Sequence, residues 1–252
     1  MARLIILGSA AAVSDAEHDN THFVLQGDHD RAVLVDCGSN PLSKLAQHGI
    51  GPDDLTDLIL THFHPDHVYG VPILLMQLWL VGRRRQLDVY GLHHCMQRFE
   101  HMLDAFMVNT WPDFFEVRIH RLAEQPDVPL LDSADFCIRA WPTRHFIPTI
   151  GLRVEVQSSG QVVSYSGDTE PIPHIITLAR DADLLLHEAA GEGSGHSSAA
   201  QAGEVATLAG AQRLALVHYP VGDAHAEALI AEARATFAGP VTLAKDHDVY
   251  AI

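Results

Sequence analysis

The run Thr61-His62-Phe63-His64-Pro65-Asp66-His67 constrains this chain more than any other stretch of it. Three imidazoles and one carboxylate fall within six positions, directly after the apolar run Leu58-Ile59-Leu60. That run reads as a buried strand, so the cluster sits on the turn where a strand ends and a helix begins. Two histidines two apart, followed by a carboxylate and a third histidine, can face two different metal ions from one loop. Imidazole and carboxylate are ligands that Zn²⁺ accepts, with Mn²⁺ or Fe²⁺ as alternatives. The chain holds 18 histidines, so a histidine-rich surface loop is the competing explanation. The strict spacing, and the further candidate ligands downstream, argue for the metal site.

A chain of 252 residues can bury a sizeable core and reads as a single domain over residues 1–252. Hydrophobic residues make up 47% and charged residues 19%, which excludes disorder. Lys and Arg total 16 against 32 Asp and Glu, a formal charge of -16 that disfavours broad binding to nucleic acid. Bound divalent cations would offset that charge locally and let the site attract a small or medium-sized anion. Cys37, Cys95 and Cys137 are odd in number and widely spaced, the pattern of reduced thiols in a cytoplasmic protein. Residues 1–7 mimic a signal peptide only faintly; the apolar core is too short, and the segment reads as a first strand turning at Gly8. The longest apolar run, from Val71 to Val81, is broken by Gln77 and falls short of a membrane span.

Periodicity and turn signals place strands at 4–7, 22–26, 32–36, 58–61, 87–90, 117–120, 136–140, 152–156, 162–165, 184–187, 214–217 and 241–243. Helices are expected at 41–48, 71–82, 93–108, 171–180, 197–209 and 224–237. Strands lead the early part and strand–helix alternation takes over late, so the expected class is α/β (α+β), a mixed sandwich with helices outside.

Two metals held by one loop need more ligands, placed where rigid strands end. Three residues fit: His145 beyond the strand at 136–140 and its turn at Pro142, Asp168 in Ser164-Tyr165-Ser166-Gly167-Asp168-Thr169, and His218 closing Leu214-Ala215-Leu216-Val217. Taken singly, each could be a cap or a turn residue. Together with the cluster they read as a constellation, and a carboxylate at Asp168 could bridge two ions.

At this point the chain resembles the metallo-β-lactamase superfamily, from Leu7 to His218. The resemblance implies a four-layer αββα sandwich that binds two metals in a groove at one edge of its sheets. It implies His62, His64 and His145 on the first metal, Asp66, His67 and His218 on the second, and Asp168 bridging. Leu7-Gly8-Ser9-Ala10, His145-Phe146-Ile147-Pro148-Thr149-Ile150-Gly151-Leu152-Arg153, His187-Glu188-Ala189-Ala190 and His196-Ser197-Ser198-Ala199 are similar to motifs of its ribonuclease Z branch. In that branch the histidine matching His196 assists the leaving group and the glutamate matching Glu188 orients it. Read from the residues alone, Glu188 could be a surface charge, and His196 a helix-entry residue ahead of a capping Ser197.

The departure from that branch is the arm with which ribonuclease Z grips tRNA, inserted between the equivalents of His145 and Asp168. Only 22 residues separate those positions here, barely enough for the two strands assigned. Action on tRNA is therefore doubtful. The expected activity is a dinuclear phosphodiesterase with a metal-bridging hydroxide as nucleophile, Asp66 orienting it, and His196 as general acid held by Glu188. Alternatives are a carboxylic ester, lactone or sulfate ester hydrolase with the same site, or a non-catalytic metal-binding scaffold. Relatives of this kind often pair as homodimers. The aromatic segment 74–115 reads as helix core and dimer interface, or else as a substrate lid. Arg83-Arg84-Arg85 reads as a solvated helix end, or else as a phosphate clamp.

Overall fold

Strand β1 (Arg3–Gly8) sends Leu4 and Ile6 into one core and Ile5 and Leu7 into another. A strand alternates its side chains between two faces, so an unbroken apolar run needs a packed layer on both sides. The computed structural model, which describes residues 1–222 and 226–252, supplies both layers. One seven-stranded sheet runs in the order β14 (Val249–Ala251), β1, β2 (His22–Gln26), β3 (Ala32–Val35), β4 (Asp57–Ile59), β5 (Leu87–Leu92) and β6 (Val117–Leu122). The other runs β13 (Val241–Leu243), β12 (Leu214–Val217), β11 (Leu184–Glu188), β10 (Val162–Tyr165), β9 (Ile150–Val156), β8 (Phe136–Pro142) and β7 (Val128–Asp132).

Phe23, Val33 and Ile59 of the first sheet meet Phe136, Ile138, Leu152 and Leu186 of the second in the inner core. Helices α1 (Pro41–Gln47), α3 (Val71–Leu80) and α4 (His93–Ala105) cover the outer face of the first sheet through Leu45, Leu74, Leu78 and Phe99. Helices α5 (Pro173–Leu178), α6 (Ala199–Ala209) and α7 (Ala226–Arg234) cover the second through Ile175, Ala202, Val205 and Ala233. The result is the αββα sandwich with mixed sheets. Among the described residues, no helix is long and apolar enough to cross a membrane.

Several boundaries differ from the sequence expectation. Strand β4 stops at Ile59, and the His cluster begins after two further buried residues, with the short helix α2 (Pro65–Val68) inside it. Strands β7 and β14 were not expected. Pro129 interrupts β7 at a register shift and confines it to a sheet edge, while β14 is a three-residue edge strand. Helix α6 is capped by Ser198, not Ser197: Ser198 Oγ accepts from Gln201 N, and Gln201 Oε1 accepts from Ser198 N. Ser197 is buried, and its hydroxyl donates to Thr169 O at 2.6 Å. The first two residues of the helix expected at 224–237 lie outside the described residues, and the described part runs over Ala226–Arg234.

Strands β3, β4, β5 and β6 are mutually parallel. Helices α3 and α4 therefore return the chain from the C-terminal end of one strand to the N-terminal end of the next. This puts their last turns, and the segments after them, at the end of the sandwich opposite the His cluster. There Trp79 stacks on Trp111 at 4.9 Å, and Trp111 meets Phe114 edge-on at 5.4 Å. Arg83 is neither a solvated helix end nor a phosphate clamp. It is 1% exposed, and its guanidinium donates to the carbonyls of Pro52, Leu55, Arg85 and Gln86. Arg84 donates to Asp113 O, and Arg85 pairs with Asp30 at 2.5 Å. Trp79, Trp111 and Phe114 of the aromatic segment thus lie at the end away from the candidate ligands.

Candidate metal centre

The loops after β4, β8, β10, β11 and β12 converge on one point. The nine residues singled out in the sequence are brought together there: His62, His64, Asp66, His67, His145, Asp168, Glu188, His196 and His218. His62, His64 and His145 form one group whose ligand atoms lie within 4.8 Å of one another, and Asp66, His67 and His218 form a second. Asp168 stands between them. Its Oδ2 is 3.8 Å from both His62 Nε2 and His145 Nε2, and 3.5 Å from both His67 Nε2 and His218 Nε2.

Hydrogen bonds fix which ring nitrogens are bare. Thr61 Oγ1 donates to Asp36 Oδ2 at 2.8 Å, so it accepts from His62 Nδ1 at 3.1 Å and leaves His62 Nε2 as a lone pair. His145 Nδ1 donates to Gly195 O at 2.7 Å, which leaves its Nε2 bare as well. Both bare nitrogens lie 3.0 Å from His64 Nδ1. His64 Nδ1 can donate to only one of them, so at least one lone pair at this point is left for a cation. Burial also holds the pKa of His62 well below the usual histidine range and lowers those of His64 and His145, so all three are neutral, the form that ligates.

The second group is electrostatically different. His67 Nδ1 donates to Asp36 Oδ2 at 2.8 Å, while its Nε2 is buried without a partner, as is Asp168 Oδ1. Burial works against a charged His67, yet Asp168 and Asp36 push its pKa well above the usual range; His218 is raised against burial by Asp168 and Asp66. Burial likewise opposes a charged Asp168, and His218 and His67 hold it well below the carboxylate range all the same. Carboxylates so placed demand positive charge, and a divalent cation can replace the protons that the two imidazoles otherwise carry. The donor set and its orphaned atoms fit metal binding.

Glu188 is buried in the sandwich, not a surface charge. Its carboxylate accepts from Thr169 N at 2.8 Å, Ala190 N at 3.0 Å and His196 Nδ1 at 3.0 Å. Burial raises the pKa of Glu188, and the hydrogen bond that His196 donates to Glu188 raises that of His196. His218, at φ +48, is anchored by its own N–H donating to Ser9 O at 2.8 Å, which gives the Leu7-Gly8-Ser9 opening a physical role.

Asp36 escaped the sequence reading. It adopts φ +59, accepts from Thr61 N, Thr61 Oγ1 and His67 Nδ1, and so orients one imidazole of each group. The one available signal was a lone acid closing the apolar strand Ala32–Val35.

A family profile described as anti-Pycsar protein Apyc1 matches residues 2–249. Ribonuclease Z of Methanothermobacter thermautotrophicus is 30% identical over 96% of this chain and 94% of its own length. That alignment spans 294 positions, more than the 252 residues here, so the relative carries insertions that this chain lacks. The crystal structure of the metallo-β-lactamase-fold protein YhfI from Bacillus subtilis matches with a TM-score of 0.81 at 28% identity, covering 99% of this chain and 98% of that one. The short form of human tRNase Z matches with a TM-score of 0.79 at 24% identity over 99% of each chain, a likeness of fold alone.

Proposed function

The chain belongs to the Apyc1 family of metallo-β-lactamase-fold, metal-dependent hydrolases, and on that premise we propose that it is a dinuclear phosphodiesterase acting on small substrates. It works as one metallo-β-lactamase-like unit. The single observation that carries the reading is Asp168 Oδ2 placed between two ligand groups, with the Glu188–His196 pair beside them. His62, His64 and His145 would hold one divalent ion, Asp66, His67 and His218 the other, and Asp168 both. Five of these seven ligands are imidazoles, a donor set suited to Zn²⁺.

Bound there, such ions acidify a water and neutralise charge on phosphate oxygens. The chain's own groups supply the rest. Asp66, which keeps 15% side-chain exposure, orients the attacking water and takes its proton. His196, protonated with the help of Glu188, gives a proton to the leaving oxygen through Nε2 while Nδ1 stays on Glu188. Leaving-group protonation of this kind favours a phosphodiester over a lactam.

Two observations speak against tRNA as the substrate. Strands β9 and β10 are joined directly by residues 157–161 where the ribonuclease Z arm would stand, and the chain carries a charge of -16. Free Cys37, Cys95 and Cys137 fit a cytoplasmic setting. Exposed Leu80, Val81, Phe106 and Met107 give a homodimer apolar surface to pair through.

The test is hydrolysis of bis(p-nitrophenyl) phosphate by metal-assayed protein, with Asp66→Ala alongside. Activity that tracks two metals per chain and vanishes in the variant supports the proposal. Full metal loading without activity would move the assignment to carboxylic or sulfate esters.

A further inference from the structure

The geometry points to Phe146 as the residue that selects the leaving group, by offering an aromatic face to a planar apolar one. The inference rests on the phosphodiesterase reading only for the identity of the reaction. Phe146 directly follows His145 and leaves 64% of its surface exposed, so its ring is open to a bound molecule. Among the described residues it is the exposed large apolar side chain whose ring packs on imidazoles of the site. Its centroid lies 5.0 Å from that of His145 and 6.0 Å from that of His196, at interplanar angles of 63° and 67°. One ring thus borders both a candidate ligand and the candidate general acid.

The ring is held in place from below. Gly195 sits at φ +78, and a Cβ there would come within 3.0 Å of His145 Nδ1 and 3.1 Å of Phe146 Cε2. The glycine lets the backbone lie flat under both rings, and its N–H donates to Glu170 Oε1 at 3.0 Å, fixing the loop. Beside His196 opens a shallow pocket of about 410 Å³ lined by Glu170, Glu192, Ser194 and Gln201. That pocket has room for a ring and offers it polar walls. Phe146 is not part of that lining; His196 is, and the Phe146 ring lies 6.0 Å from it, so an aromatic face is on offer next to the candidate acid.

Zinc-loaded protein titrated calorimetrically with monomethyl benzylphosphonate and monomethyl neopentylphosphonate tests this. In both, a methylene replaces the leaving oxygen, so the benzyl or neopentyl group cannot be expelled, and the one remaining ester bond leads only to methanol, a poor leaving group. The wild type should bind the benzyl compound roughly three- to tenfold more tightly, the worth of one aromatic contact. Phe146→Ala should abolish that preference and Phe146→Trp should keep it. An unchanged preference in Phe146→Ala, equal weakening of both ligands, or no preference in the wild type would each overturn the proposal. Hydrolysis of bis(p-nitrophenyl) phosphate by the same preparations separates the two readings. A benzyl preference without hydrolysis leaves Phe146 standing and removes the phosphodiesterase; hydrolysis without a Phe146-dependent preference does the reverse.

Discussion

The two ends of the sandwich are built on opposite principles. At the C-terminal ends of β4, β10, β11 and β12 the buried groups are imidazoles and carboxylates, several with atoms that no hydrogen bond satisfies. Asp36 and His218 hold left-handed backbone there. At the other end Trp79, Trp111 and Phe114 pack on one another, and buried Arg83 has its donors taken up by four carbonyls. One end gathers unmet electrostatic demand at its centre, and the other meets that of its buried arginine. Stability and chemistry are thereby separated along a single set of strands, with the cost of the site met by packing elsewhere.

If that separation is real, changes at the site end should alter turnover with little change in melting temperature, and changes at the far end should do the opposite. His196→Ala should lower turnover by about 10²–10⁴-fold, the usual contribution of a positioned acid. It should spare metal content and hit poor leaving groups hardest, and equal losses on good and poor leaving groups would remove its role as acid. Asp36→Asn should weaken metal binding by roughly 10–100-fold, because His67 and Thr61 lose the carboxylate that orients them. Metal titration against a chelator reads this, and an affinity within error of the wild type would make Asp36 a fold residue only. Arg83→Met should leave kcat and KM as they were while costing about 3 kcal/mol, as buried carbonyls lose their donors. For a chain of this size that lowers Tm by roughly 6–12 °C in calorimetry. A loss of activity without a loss of stability would show that the two ends communicate.

What could be read in the sequence was whatever is local or punctuated. His62, His64, Asp66 and His67 are neighbours in the chain, and His145, Asp168 and His218 each follow a run whose apolar pattern marks a strand. The mixed sandwich followed from the order of strands and helices, and its four-layer form from the family resemblance. Residues that act across the chain were not legible. Asp36 meets His67 over 31 positions, and Arg83 meets Pro52 over 31 as well; neither spacing leaves a pattern. An arginine triplet after a helix looks solvated until the carbonyls that surround one of its members are in place. Strand β7 was hidden by Pro129, since proline argues against any but an edge strand. The capping residue of α6 was misread by one position, although Ser198-Ala199-Ala200-Gln201 fits a capping box better than Ser197 does.

Glu188 ties together three pieces of chain: Thr169 beside Asp168, Ala190 at the head of the next loop, and His196. Asp168, proposed to bridge, and His196, proposed as the leaving-group acid, are therefore joined through one hydrogen-bonded block. For a designer, or for natural drift, this closes off most of the centre as a route to a new substrate. Variation that keeps the reaction would then enter through what surrounds the block, as proposed for Phe146. The chemistry is thus difficult to retune, and the choice of substrate comparatively easy.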